Sequence, residues 1–179
     1  MNEITEKACE IIEAGGVIIF PTETVYGIGA SIHNESAIKR IFELKKRPLS
    51  KPLPVMISNL DQLNELASEI PESAKEYLKE WPGPLTLVFK KSEKVSDLIT
   101  SGGKTVAIRM PDHEIALEII ERCGPIVATS ANLSGEHAPV SAEEVKIHAD
   151  VIIDDGISAI GTPSRIIDLS GKQIKIIRE

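Results

Sequence analysis

GGVIIFPTETVYGIG, residues 15–29, is the stretch from which the rest of the chain is read. Gly15 and Gly16 stop an amphipathic helix over 3–14 that places Ile4, Ala8, Ile11 and Ile12 on one face. Val17, Ile18, Ile19 and Phe20 form an apolar run of strand length, and Pro21 closes it. A polar loop follows. Thr22, Glu23, Thr24 and Tyr26 suit a small polar pocket beyond the strand end, and they suit caps and a buried, hydrogen-bonded tyrosine equally. Gly27-Ile28-Gly29 lacks the full dinucleotide fingerprint, and the Walker pattern is absent.

Outward from this segment the pattern is mixed α/β. A helix over 35–46 is predicted, with Asn34 as its cap and Ala37, Ile38, Ile41 and Phe42 facing inward. Residues 52–57 read as a strand whose two prolines assign it to a sheet edge or a strand start. Helices follow over 59–68, 72–80 and 113–122, and strands over 85–89, 105–109, 125–129 and 151–154. Ser141 and Glu144 have capping-box spacing, which predicts a helix to about residue 149. Residues 165–169 and 173–178 flank Ser170-Gly171-Lys172 as a hairpin. Trp81-Pro82-Gly83-Pro84 reads as a rigid turn with a packed indole. The expected fold is one twisted, mixed β-sheet flanked by helices, in a single domain over 1–179.

The composition narrows the function. With 179 residues, 42% hydrophobic and 26% charged, the chain is an ordinary globular domain that needs no metal or disulfide to fold. Its net charge of −7 and 3% aromatic content argue against a generic polyanion binder and against base stacking on rows of rings. Cys9 and Cys123 have no zinc or CxxC spacing and read as reduced core thiols of a cytoplasmic protein. His33, His113, His137 and His148 show no metal-ligand spacing, so no metal site is expected. There is no signal-peptide core, and no apolar run reaches the roughly 18 residues of a membrane span.

Against this acidic background, segment 39–51, KRIFELKKRPLSK, holds six of the twenty basic residues and a single acid. A helix C-terminus attracts cations, which accounts for Lys39 and Arg40. Lys45, Lys46, Arg47 and Lys51, arranged around Pro48, suit a compact polyanion such as a triphosphate: arginine supplies a planar fork and lysine a point charge. A second segment, Thr129-Ser130-Ala131-Asn132-Leu133-Ser134-Gly135, follows a buried strand. It reads either as a strand-ending turn or as a cradle of small donors.

Taken in order, PTETVYGIG (21–29), LKKRPLSKPL (44–53), WPGPLTLVF (81–89), TVAIRMP (105–111), TSANLSG (129–135) and PSRIIDL (163–169) make the chain resemble the YrdC-like family of threonylcarbamoyl-AMP synthases. The resemblance implies a twisted α/β sheet around a large positively charged cavity. It also implies a nucleotidyltransferase that turns L-threonine, bicarbonate or CO2, and ATP into threonylcarbamoyl-adenylate and pyrophosphate. A separate tRNA threonylcarbamoyl transferase complex would use the product. ATP is then a substrate, with Mg2+ held mainly through its phosphates.

By the same resemblance Lys45 and Arg47 are catalytic and, with Lys51, Thr105, Ser130, Asn132 and Arg178, contact ATP. Thr24, Arg109 and Ser164 contact threonine, with Arg109 pairing with the threonine carboxylate. Because a carbamate decarboxylates readily in water, a closed cavity is expected, with loop 46–51 as its lid. Two positions depart from the family pattern: Met56 stands where many relatives carry His, and Ala138 where many carry Ser or Thr. An RNA-binding module of the same fold, through a direct RNA contact, and a related carbamoyl-adenylate enzyme with a different substrate are the alternatives.

Overall fold

Side chains that alternate along the strands sort onto two faces of one sheet, and the two faces are covered unequally. The computed structural model describes residues 3–179. The strands are β1 (Ile18–Phe20), β2 (Gly27–Ser31), β3 (Val55–Met56), β4 (Ala67–Glu69), β5 (Leu85–Lys91), β6 (Thr105–Arg109), β7 (Ile126–Ser130), β8 (Val151–Ile152), β9 (Arg165–Asp168) and β10 (Lys175–Arg178). The helices are α1 (Glu3–Glu13), α2 (Glu35–Leu44), α3 (Leu60–Leu66), α4 (Ala74–Leu78), α5 (Asp97–Thr100) and α6 (Glu114–Cys123). The sheet runs β10-β9-β5-β6-β3-β7-β2-β1-β8, and β4 pairs with β5. The β1–β8, β3–β6 and β5–β9 pairs are parallel and the others antiparallel, so the sheet is mixed as expected.

On one face Ile19, Ile28, Val55, Leu87, Ile108 and Val127 pack under α2, α3, α4 and α5 in the main core. Ile38 and Ile41 of α2 are fully buried there, each worth about 2 kcal/mol of transfer free energy. On the other face α1 and α6 cover only the strands around β1 and β7, closing a second core of Ala8, Cys9, Ile18, Phe20, Ile119 and Ile126. Beyond that cover, the same face of β5, β6 and β9 stays open. This uncovered part of the sheet is where the cavity lies.

Several expectations are corrected. Residues 27–31, assigned to no element from sequence, are β2, paired with β1 and β7. The glycines of Gly27-Ile28-Gly29 leave room for a ring: a Cβ on Gly29 would stand 3.0 Å from Phe20 Cε1 and 2.8 Å from the Val127 carbonyl. Strand β3 is internal, between β6 and β7, so its prolines mark a strand start and not an edge.

On α1, Thr5 and Cys9 are buried in place of Ile4, which is exposed. Asn34 caps α2 as predicted, its side chain accepting from the Ala37 amide at 2.9 Å. The helix predicted to residue 149 is only a 3-10 turn over Ala142–Glu144. Ser141 makes no cap bond, and Glu144 accepts instead from the Val140 amide. Burial of Ile147 and the bonds pinning Asp150 to Val17 draw the following chain out. The indole of Trp81 is buried and donates to the Leu85 carbonyl, next to a cis Trp81–Pro82 bond.

Cys9 and Cys123 lie on the packed helices α1 and α6 as free thiols, both pushed up in pKa mainly by burial. Among the described residues no helix is long and apolar enough to cross a membrane.

Candidate active site

A cavity of about 450 Å³ opens on the uncovered sheet face. Thr86 and Val88 of β5, Thr105 and Ala107 of β6, and Ile166 and Asp168 of β9 form its floor, the outward-facing alternates of strands whose other residues fill the main core. Arg47, Arg109 and Arg178 enter it, and Asp168 is the carboxylate in its lining.

Arg109 is 5% exposed at the end of β6. Its Nη2 donates to Glu23 Oε1 at 2.5 Å, its Nη1 to Thr24 Oγ1 at 2.9 Å and its Nε to the Gly83 carbonyl at 3.2 Å. Three of five N–H groups are thus engaged, and two remain for a ligand. Burial pulls its pKa down, and Glu23 opposes that shift. The expectation that Arg109 pairs with a substrate carboxylate therefore meets a resident one. The loop after β1 fixes Glu23 and Thr24: Thr22 Oγ1 donates to the Val25 carbonyl and lies 2.9 Å from Thr24 Oγ1. The Glu23 and Thr24 carbonyls accept from the amides of Ile160 and Gly161, which clips the segment carrying Ser164 beside them. Ser164 Oγ meets Thr86 Oγ1 at 2.7 Å, and the Ser164 carbonyl accepts from Arg178 Nε at 2.8 Å. Burial, then the charge of Arg109, lowers the Arg178 pKa.

The end of α2 sorts the basic cluster. Lys46 takes a left-handed conformation, φ 49°. The Lys46 amide donates to the Glu43 carbonyl and the Arg47 amide to the Phe42 carbonyl, the hydrogen-bond pattern of a Schellman ending. This turn sends three consecutive cations three ways. Lys45 is 1% exposed, and its Nζ donates to the carbonyls of Ser130 and Asn132. Lys46 is exposed. Arg47 faces the cavity while its Nε and Nη2 hold the carbonyls of Lys51 and Pro52. Burial, with the Arg47 charge adding to it, lowers the Lys45 pKa to about 8. Loop 46–51, expected as a lid, is braced by Arg47 from within and by Ser101 Oγ, which donates to the Leu49 carbonyl at 2.6 Å.

Of the residues singled out from sequence, Thr24, Arg47, Thr105, Arg109, Ser130, Ser164 and Arg178 line one cavity. Lys45, Lys51 and Asn132 do not. Lys51 is exposed on its loop. Asn132 lines a second recess of about 410 Å³, with its Nδ2 donating to the Leu133 and Glu136 carbonyls. Sequence reasoning passed over Glu23 as an arginine partner and Thr86 and Asp168 as floor. A threonine between leucines in Leu85-Thr86-Leu87 was the available signal, since a polar residue on one face of a buried strand marks an uncovered face. Among the described residues no cluster of three or more His, Cys, Asp or Glu side chains could hold a metal ion.

A family model for Sua5, YciO and YrdC proteins, described as telomere recombination, matches residues 10–179. The chain is similar to a threonylcarbamoyl-AMP synthase of Pyrococcus abyssi, 52% identical over 171 residues, covering 91% of this chain and 50% of that protein. It is 45% identical over 168 residues to the synthase of Bacillus subtilis, covering 90% and 49%. The chain thus spans about half the length of these relatives. The solved structure of P. abyssi Sua5 complexed with L-threonine superposes with a TM-score of 0.92 at 49% identity, covering 97% of this chain and 53% of that one.

Proposed function

The chain belongs to the Sua5/YciO/YrdC family, and from that premise we propose that it makes threonylcarbamoyl-adenylate from L-threonine, bicarbonate or CO2, and ATP. The observation that carries this reading is the convergence of Arg47, Arg109 and Arg178 on one cavity of an acidic protein. Such a cavity suits a triphosphate beside a small amino acid. The ATP end would use Arg47, Thr105, Ser130 and Arg178, and the threonine end Thr24, Arg109 and Ser164. The two unengaged N–H groups of Arg109 would take the amino-acid carboxylate. Lys51 and Asn132 would reach the nucleotide from outside this cavity.

The amine of threonine adds to CO2, losing a proton to solvent, and forms a carbamate. A carbamate oxygen then attacks the α-phosphorus of ATP, the bond from the α-phosphorus to the bridging oxygen breaks, and pyrophosphate leaves. Guanidinium groups fixed in advance would stabilise the charge that develops on the phosphate oxygens. Mg2+ would neutralise phosphate charge when bound. With Asp168 the carboxylate in the lining, it would be held mainly through ATP. The product would pass to a tRNA threonylcarbamoyl transferase complex in the cytoplasm.

The test is to combine the protein with ATP, Mg2+, bicarbonate and L-threonine and to measure pyrophosphate and threonylcarbamoyl-adenylate. Threonine-dependent formation of both is expected. ATP cleavage that ignores threonine, or salt-sensitive RNA binding without turnover, would refute the proposal. One observation favours a second reading, a related enzyme with a different amine. Met56 lines the cavity, paired in register with Arg109, at the position where the family resemblance implies His. Other amino acids in the same assay would reveal it.

A further inference from the structure

We infer that Lys45 is a positioning residue: it holds the turn that carries Ser130 and Asn132 from within the protein and does not touch the nucleotide. The inference rests on the reading that the cavity takes ATP.

Lys45 grips this turn at three points. Its Nζ donates to the Ser130 carbonyl and, at 2.6 Å, to the Asn132 carbonyl, while its own carbonyl accepts from the Ser134 amide at 2.8 Å. The Lys45 backbone is the C-cap of α2, which Ile38, Ile41 and Phe42 anchor in the main core. The turn is therefore tied to the core by the Lys45 side chain and backbone, beside the Ala131 amide on the Tyr26 carbonyl and the pairing of Ser130 with Gly27. Ser130 and Arg47 line the cavity and Lys45 does not.

Lys45 is 1% exposed and does not line the cavity, so an ammonium that moved to a phosphate there would draw away from the two carbonyls, which would then lack its N–H donors in a buried site. The depressed Lys45 pKa agrees with this placement, because the neutral amine keeps two N–H groups, enough for both carbonyls. Sequence reading grouped Lys45 with Arg47 as a pair of anion ligands. The fold separates them into a brace and a ligand.

The full chain can be acetylated with a limiting N-hydroxysuccinimide ester, with and without ATP and Mg2+, and the lysines followed by peptide mass spectrometry. Lys45 should react at least about tenfold more slowly than exposed Lys46 and Lys51, whether or not ATP is present. Its lowered pKa would otherwise make it the faster nucleophile. Rapid acetylation that ATP suppresses would overturn the inference.

A second measurement uses ATP affinity by calorimetry. Lys45→Met should weaken binding about tenfold in the native background. In the Ser130→Ala/Asn132→Ala background it should change affinity by less than about twofold, because its route of action is gone. Equal losses in both backgrounds would mean a direct contact and would refute positioning. If Lys45→Met does not fold, the acetylation result decides. If the native chain binds no ATP, the proposed function fails while the acetylation rate still reports where the amine sits.

Discussion

Raising the pH from 8 to 9 should stabilise the folded chain relative to its Lys45→Met variant. The Lys45 amine is displaced from its ordinary value of 10.5 to about 8, first by burial and then by the charge of Arg47. Below pH 8 the amine is protonated in both states, and the folded state bears the full cost of a buried charge. As pH climbs through 8 the folded protein sheds this proton while the unfolded chain, titrating near 10.5, keeps it. Stability then rises with pH, because the unfolded state binds more protons. The whole displacement corresponds to about 3 kcal/mol, of which about 1 kcal/mol falls between pH 8 and 9.

From about pH 8 upward the effect is opposed. Cys9 and Cys123 are raised from 9.0 and Tyr26 from 10.0, so these groups keep protons in the folded state that the unfolded chain loses. Between pH 8 and 9 each unfolded thiol already offsets about 0.35 kcal/mol, so the lysine is isolated only as the difference between the native chain and Lys45→Met, in which the thiol contributions cancel. Urea denaturation at constant ionic strength, in a reducing buffer, at half-unit steps from pH 7.5 to 9 measures it. A native chain that gains no stability relative to Lys45→Met between pH 8 and 9 would refute the reasoning.

Lys46→Gly should raise stability by about 0.5–1 kcal/mol in urea denaturation, because a lysine at φ 49° occupies the position where glycine carries no Cβ penalty. An unchanged midpoint would count against strain there. Gly29→Ala should destabilise by about 1–3 kcal/mol, since its Cβ would meet the Val127 carbonyl at 2.8 Å and the Phe20 ring at 3.0 Å. Glu23→Ala strands the buried Arg109 guanidinium and should cost about 3–5 kcal/mol, read from the same denaturation curves. A loss below 1 kcal/mol would show that the arginine finds other partners. Met56→His adds a polar group beside Arg109 and should lower the threonine KM in pyrophosphate release about fivefold, the worth of one hydrogen bond. An unaltered KM would mean that this wall does not meet the amino acid.

Much of the fold follows from local pattern. The α2 cap at Asn34, the buried run of β1, the β5 and β6 strands and the β9–β10 hairpin each lie where apolar periodicity and turn residues assign them. Residues 27–31 escaped because Gly, Ile, Gly, Ala and Ser carry no strand period. They are a strand only because Phe20 and β7 need small neighbours. The turn after Ser141 failed as a helix because the burial of Ile147 outweighs a local cap.

The amino-acid order by itself determined that six cations crowd one segment of an acidic chain and that small hydroxyl residues follow a buried strand. Only the tertiary structure decided that Lys45 turns inward to two carbonyls 85 and 87 residues away, Lys46 outward and Arg47 into the cavity. It likewise brought Glu23 to Arg109 across 86 residues. Charge and periodicity are properties of neighbours along the chain. The direction of a side chain at a helix end is set by the backbone turn there and by the partners that distant segments bring to it.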